Sequence, residues 1–156
     1  MNNESNAFIS CLKEAGVSIV ELTFLDEEGY KREWFSRVVP EDKRQKATES
    51  NCFDTDGCSG YLWHVFSYNV LEHIEGVHAK KTFDKFPKQE AILLANWGDV
   101  DNITSCRLKN ISNITATDLD ILHDVILTDI NFEWTYAKTH EKGCGPYFHW
   151  IDTETV

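Results

Sequence analysis

The stretch that decides the fold runs from Phe132 to Phe148 and reads Phe-Glu-Trp-Thr-Tyr-Ala-Lys-Thr-His-Glu-Lys-Gly-Cys-Gly-Pro-Tyr-Phe. Phe132, Trp134 and Tyr136 are spaced two residues apart, which predicts a half-buried strand with one aromatic face. Residues 143–146 predict a turn after this strand, because glycine tolerates positive φ and proline cannot donate to a strand ladder. The stretch therefore predicts a β-sheet organised around residues 132–137.

A first candidate site lies where this strand ends, at Thr139, His140 and Glu141. A histidine in such a place can act as a general base or a metal ligand, and a neighbouring carboxylate can orient it. The structural alternative is that these side chains cap the backbone of the turn. Successive residues of a strand point to opposite faces, so His140 and Glu141 share one substrate only if a bulge intervenes.

Aromatic residues elsewhere in the chain are candidates for the walls of a pocket near this corner. The predicted binding residues are Trp63, His64, Trp134, Tyr136, Thr139, His140, Glu141 and Tyr147. For His64, flanked by aromatic and aliphatic neighbours, a core position is the competing interpretation. His140 and Glu141 are the catalytic candidates, and the sequence predicts no metal site and no cofactor.

The length of 156 residues predicts one globular domain spanning residues 1–156, with loose tails at residues 1–6 and 151–156. The net charge of -11 and the pI of about 4.9 argue against nucleic-acid binding, because such a surface repels phosphate backbones. The same charge favours a basic protein as partner, which it would attract over long range.

The location expected from the sequence is the cytoplasm. Residues 1–6 have neither the basic nor the apolar region of a signal peptide. The longest apolar run, residues 91–95, is far too short for a membrane span, so no membrane association is expected. The five cysteines are odd in number and scattered, which is typical of reduced thiols.

Other motifs are weaker. Asp54-Thr55-Asp56-Gly57 resembles a calcium loop, but that alignment puts Cys52 and Trp63 at the first and last ligand positions, where carboxylates are required. Cys52 and Cys58 have no second pair of ligands at zinc spacing. Cys144, between two glycines and near His140, is a conceivable nucleophile.

The rest of the chain predicts helices and strands in mixed order. Helices are expected at residues 8–15, 26–38, within 40–50, after Gly76, and from a Thr115–Asp118 capping box through His123. The helix at 26–38 has Asp26 as its predicted N-cap and a predicted core-facing stripe of Tyr30, Trp34 and Val38. Its predicted i, i+4 ion pairs are Glu27–Lys31, Glu28–Arg32 and Glu33–Arg37. Strands are expected at residues 17–25, 88–97, 104–109 and 125–128, and the apolar run at 91–95 predicts a central position in the sheet. This order predicts an α+β fold, with helices packed on an antiparallel or mixed sheet.

Two segments resemble a family of small uncharacterised proteins from Gram-positive, bacillus-like bacteria, known only as a domain of unknown function. The first is Leu62-Trp63-His64-Val65-Phe66-Ser67-Tyr68 followed by Leu71, Gly76, Ala79 and Phe83; the second is Trp134-Thr135-Tyr136 with Thr139-His140-Glu141 and Gly145-Pro146-Tyr147-Phe148. The resemblance runs from about Tyr30 to Phe148, and the chain departs from the family at residues 50–60, in the tail after Phe148, and at Cys144. It implies a cytoplasmic bacterial protein and no activity.

Three functions remain open from the sequence. The first is a non-enzymatic protein-binding module, one form of which is an immunity- or antitoxin-like protein that neutralises a basic toxin. The second is a small hydrolase or metal-assisted enzyme centred on residues 139–141. The third, a structural subunit of a homo-oligomer, depends only on the aromatic content. The acidic charge and the lack of a recognised catalytic motif favour the first.

Overall fold

The computed structural model of the chain describes residues 3–50, 62–95, 104–141 and 143–151. The helices and strands of these ranges are α1 Asn3–Glu14, β1 Ser18–Glu21, α2 Phe24–Val38, a 3-10 turn Glu41–Lys43, α3 Arg44–Glu49, α4 His64–Ser67, β2 Ile74–Glu75, α5 Val77–Lys85, β3 Glu90–Ala95, β4 Cys106–Lys109, α6 Ala116–Leu119, β5 Val125–Asp129, β6 Trp134–Lys138 and β7 Tyr147–Trp150.

The strands form one seven-stranded sheet in the order β1-β4-β3-β5-β6-β7-β2. Every neighbouring pair runs antiparallel, so the predicted α+β class is confirmed and the sheet is antiparallel rather than mixed. Strand β3 lies inside the sheet between β4 and β5. Its residues 91–95 are all buried, as expected for a strand that is apolar on both faces.

Helices cover both faces of the sheet, and each face has its own hydrophobic core. The first core packs α1, α5 and α6 on side chains that include Leu93, Leu127, Tyr136 and Phe148. The second core packs α2, α3 and α4 on side chains that include Ile92, Leu94, Ile126, Ala137 and Tyr147. Because side chains alternate along a strand, each central strand contributes to both cores.

This two-sided burial corrects the prediction that the strand after Phe132 is half-buried. Residues 134–137 are all buried. Phe132 precedes the strand, in the turn after β5, with a φ of 60°. Its ring packs in the second core while Trp134 packs in the first. Phe132 therefore does not share the face of Trp134 and Tyr136.

Helix α2 begins earlier than predicted. Its N-cap is Thr23, whose Oγ1 accepts the backbone N–H of Asp26 at 3.1 Å, so Asp26 lies in the first turn and is not the cap. The predicted stripe is confirmed, since Trp34 and Val38 are buried and Tyr30 packs against the same core. The predicted i, i+4 ion pairs are also present: Glu27–Lys31, Glu28–Arg32 and Glu33–Arg37.

The ends of some helices and strands differ from those predicted from the sequence. The Thr115–Asp118 capping box is present, but α6 ends at Leu119 and does not reach His123. Helix α1 begins at Asn3, so residues 3–6 are helical and not part of a loose tail. Residues 147–150 form a strand that was not predicted. The calcium-like motif at residues 54–57, which the sequence argued against, and the tail at 152–156 lie outside the described residues.

A buried chain of hydrogen bonds joins α2 to the sheet. The indole Nε1 of Trp34 donates to Thr135 Oγ1 at 2.9 Å. The hydroxyls of Thr135 and Thr128 lie 3.3 Å apart, and Thr128 Oγ1 donates to the carbonyl of Trp134 at 2.9 Å. These bonds satisfy the polar atoms that β5 and β6 place inside the second core, where an unpaired group would be costly.

Candidate functional site

The eight predicted binding residues do not meet in one pocket. Trp134 and Tyr136 are buried in the first core, whereas Trp63 and Tyr147 are buried in the second core. His64 is half-buried, and its Nδ1 lies 2.8 Å from the carbonyl of Ser50. Thr139, His140 and Glu141 lie together as consecutive residues after β6, and the rings of Trp63 and His64 also lie close, with centroids 4.4 Å apart.

The hydroxyl of Tyr136 has no hydrogen-bond partner among the described residues, although its side chain is 0% exposed. Burial, followed by the nearby Asp120 and Asp84, raises the pKa of this hydroxyl.

We expect Tyr136→Phe to raise stability by about 1 kcal/mol, because it removes an unsatisfied buried group. Chemical denaturation measures this. Tyr147→Phe is the matched control and should lose stability, since its hydroxyl interacts with Cys144. A less stable Tyr136→Phe variant would show that the hydroxyl has a bound partner such as water.

At the end of β6, Asp124 holds His140 through two hydrogen bonds. The ring Nδ1 of His140 donates to Oδ2 of Asp124 at 2.6 Å, and the backbone N–H of His140 donates to Oδ1 at 3.0 Å. The Asp124 side chain is 6% exposed and that of His140 is 49% exposed. A buried carboxylate therefore fixes an imidazole whose other face meets solvent.

Sequence reasoning missed Asp124 and paired His140 with Glu141 instead. Strands β5 and β6 pair antiparallel with Val125 opposite Lys138, which puts Asp124 beside Thr139. The pairing register of the two predicted strands could have indicated this neighbour. Glu141 is exposed, and its backbone N–H donates to Thr139 Oγ1 at 3.3 Å. Thr139 therefore caps a backbone N–H just after the strand, and the capping of residues 143–146 by these three side chains stays a prediction.

With its Nδ1–H bonded to the Asp124 carboxylate, the ring of His140 presents Nε2 on its other side. A carboxylate that orients a histidine in this way is the arrangement used for general-base catalysis. Cys144 is not part of that arrangement in the described structure. Cys144 is partly buried and packs against the second core. Burial is the main cause that raises the pKa of the Tyr147 hydroxyl, and the neighbouring Cys144 is the second cause.

A cleft of about 550 Å³ opens beside the turn between β5 and β6. Four carboxylates line it: Asp84, Glu90, Asp129 and Glu133. Two lysines also line it, Lys85 and Lys88. The ammonium of Lys88 is directed at protein atoms, because Nζ donates to the Phe83 carbonyl at 2.9 Å and lies 4.5 Å from the Phe83 ring centroid. Burial lowers the pKa of Lys88.

Trp150 lies between this cleft and a second, smaller pocket. Its indole is 43% exposed, and its ring centroid lies 6.4 Å from that of Phe86, which lines the cleft. The smaller pocket has about 350 Å³ and is lined by Glu72, His73, Ile74, Phe148, His149 and Trp150. None of the residues that line this pocket is among the predicted site residues. The signal available was the alternation of residues 147–150.

Searches of the described residues found no group of three or more His, Cys, Asp or Glu side chains that could hold a metal ion. No helix within the described ranges is long and apolar enough to cross a membrane. A family model described only as a domain of unknown function matches residues 7–148 of the chain. Comparisons with curated proteins and with solved structures gave no match.

Proposed function

The chain belongs to the family described as a domain of unknown function, DUF4275, and we propose that it is a protein-binding module that recognises a basic partner. One form of this proposal is an immunity- or antitoxin-like protein. A cytoplasmic setting in a Gram-positive bacterium belongs to the same proposal. The free thiols of Cys11, Cys106 and Cys144, among the described cysteines, support the cytoplasmic part of this proposal.

The observation that supports this function is the exposed indole of Trp150 beside an acidic cleft. Tryptophan is enriched among the residues that dominate binding energy at protein interfaces. Phe86 connects Trp150 to the cleft. A partner that covers Trp150 would therefore also cover the carboxylates of Asp129 and Glu133.

The charge of the cleft decides the kind of partner. Lys88 already interacts with the Phe83 carbonyl and ring, so its ammonium is committed to the end of α5. Of the remaining charged side chains in the lining, four are acidic and one, Lys85, is basic. Glu90 is itself paired with Arg107 at 3.8 Å and Asp84 accepts the backbone N–H of Ala116 at 2.7 Å, which leaves Asp129 and Glu133 as the carboxylates for a partner. An arginine or lysine of a partner would find complementary charge there. The net charge of -11 would speed its approach, more at low salt than at moderate salt.

Reversing one charge tests this surface. Glu133→Lys is expected to weaken capture of a stoichiometric partner by about tenfold or more, because like charges facing each other cost several kcal/mol. The side chain of Glu133 is exposed, so folding should be preserved. The measurement is a pull-down from a lysate of the source organism at low and moderate salt, followed by a binding assay with the recovered protein.

The matched control is Glu41→Lys, which makes the same charge change on an exposed residue of the 3-10 turn. This control should bind like the wild type. Equal weakening by both variants would mean that only the overall charge matters. Recovery of no stoichiometric partner at either salt concentration would remove the support for the proposal.

A second candidate function is general-base catalysis in a small hydrolase, which the Asp124–His140 pair favours. The fixed ring can accept a proton from a water molecule or from a substrate hydroxyl. The original pair for this alternative, His140 with Glu141, is replaced here by His140 with Asp124. Thermal unfolding of variants at Asp124, His140 and Glu141 tests whether the pair is structural.

A further inference from the structure

Strand β7 is longer than the strand that covers its outer edge. β2 pairs only with Tyr147 and Phe148, whereas β7 continues to Trp150. Continuing the register of Ile74 with Phe148 would place Glu72 opposite Trp150. Glu72 is not in β2, and its carbonyl instead accepts the ring Nδ1 of His149 at 2.7 Å. The chain before β2 has therefore separated from β7.

The pocket of about 350 Å³ lies in this separation, between residues 72–74 and 148–150. The backbone N–H of Ile151 donates to Glu133 at 2.7 Å, on the β6 side. Because backbone groups in an antiparallel strand alternate sides, the N–H and C=O of Trp150 point away from β6 and toward the pocket. The pocket thus joins a strand edge to an exposed indole.

The walls of the pocket are held in place by two histidines. The ring Nδ1 of His73 lies 2.9 Å from the carbonyl of Leu71, and that of His149 is bonded to Glu72. Burial lowers the pKa of His149, which keeps its ring neutral near pH 7. Glu72 and Glu75, both on exposed residues, place two carboxylates at this edge. Lys43 is a nearby positive charge, which also lowers the pKa of His149.

We propose that an extended, basic segment of the partner protein adds to the edge of β7 at Trp150 and places its apolar side chains against the indole. This inference rests on the proposed function and specifies how the partner is recognised. Strand addition supplies affinity through backbone hydrogen bonds, and pockets for alternate side chains supply specificity. A second copy of this chain is the poorer occupant, because it has the same net charge of -11.

The test uses a ten-residue peptide of alternating lysine and valine, with both ends blocked, titrated into isotope-labelled protein and followed by NMR. We expect shifts of the Trp150 amide and indole N–H signals, and slower hydrogen exchange of the Trp150 amide. A peptide of equal charge with prolines in place of the central valines should bind about tenfold more weakly, because proline cannot donate to a ladder. Trp150→Ala should weaken the first peptide by about tenfold.

Because both peptides are compared on the wild-type protein, the test does not depend on whether Trp150→Ala folds. Equal binding of both peptides would overturn strand addition and leave the binding of basic partners in place. Shifts at β1, the opposite edge of the sheet, where Val20 is exposed, would overturn the choice of edge. If hydrogen exchange of the Trp150 amide slows as the protein concentration rises, with no peptide present, the edge would be assigned to a second copy of the chain. Absence of any shift would also overturn the inference, while Glu133→Lys tests the proposed function separately.

Discussion

Replacing Trp34 with alanine is expected to destabilise the protein by about 3–5 kcal/mol, the largest effect of any substitution considered for this chain. The side chain of Trp34 is 0% exposed, and it joins α2 to the second face of the sheet. The substitution would open a cavity beside Phe66, whose ring centroid lies 6.4 Å away. It would also remove the donor that Thr135 Oγ1 accepts at 2.9 Å. Both losses occur in the buried interior, where neighbouring groups relax only in part.

Denaturant unfolding gives the change directly, and thermal unfolding should show a drop of roughly 10 °C or more for a domain of this size. Trp34→Phe is the matched control, because it keeps most of the packing and removes the indole N–H. It should cost about 1–3 kcal/mol, mainly from loss of the hydrogen bond to Thr135 Oγ1, whose hydroxyl keeps its contact with Thr128 Oγ1 at 3.3 Å. A cost for Trp34→Ala no larger than that for Trp34→Phe would contradict the description of α2 as tightly packed on the sheet.

Replacing Asp124 with alanine is expected to cost about 3 kcal/mol, the second-largest effect. Its carboxylate accepts both the backbone N–H and the ring Nδ1 of His140, and hydrogen bonds to charged groups contribute about 1.5–3 kcal/mol each. His140→Ala should cost about 1.5 kcal/mol, because the bond from the half-exposed ring is lost while the backbone bond to Asp124 remains. Glu141→Ala should change stability by less than about 0.5 kcal/mol, since its side chain is exposed. Thermal unfolding of the three variants beside the wild type measures the order.

The outcome at His140 separates its two interpretations. A clear loss of stability in both Asp124→Ala and His140→Ala assigns the pair to holding the end of β6. An unchanged or higher melting temperature for His140→Ala would show that the residue is retained at the expense of stability, as residues of functional sites often are. Hydrolase assays should then begin at His140. A large loss in Glu141→Ala would contradict the placement of Asp124 as the partner of His140.

The features that the sequence determined by itself depend on residues close together in the chain. The ion pairs of α2 lie one helical turn apart, and the Thr115–Asp118 capping box spans three residues. The central place of residues 91–95 followed from their continuous apolar character. Such interactions are set by the fixed geometry of a helix or strand, so they can be predicted without knowing the fold. The α+β class followed from their order along the chain.

The candidate sites were decided by the tertiary structure. Asp124 and His140 are 16 residues apart, and Trp34 and Thr135 are 101 residues apart. Each pair meets only because the strand register or the packing of α2 brings it together. The pattern of residues along the chain shows neither the register nor the packing. Aromatic density was a poor guide for the same reason. Trp134 and Tyr136 are core residues, whereas Trp150 is exposed because β7 extends beyond β2.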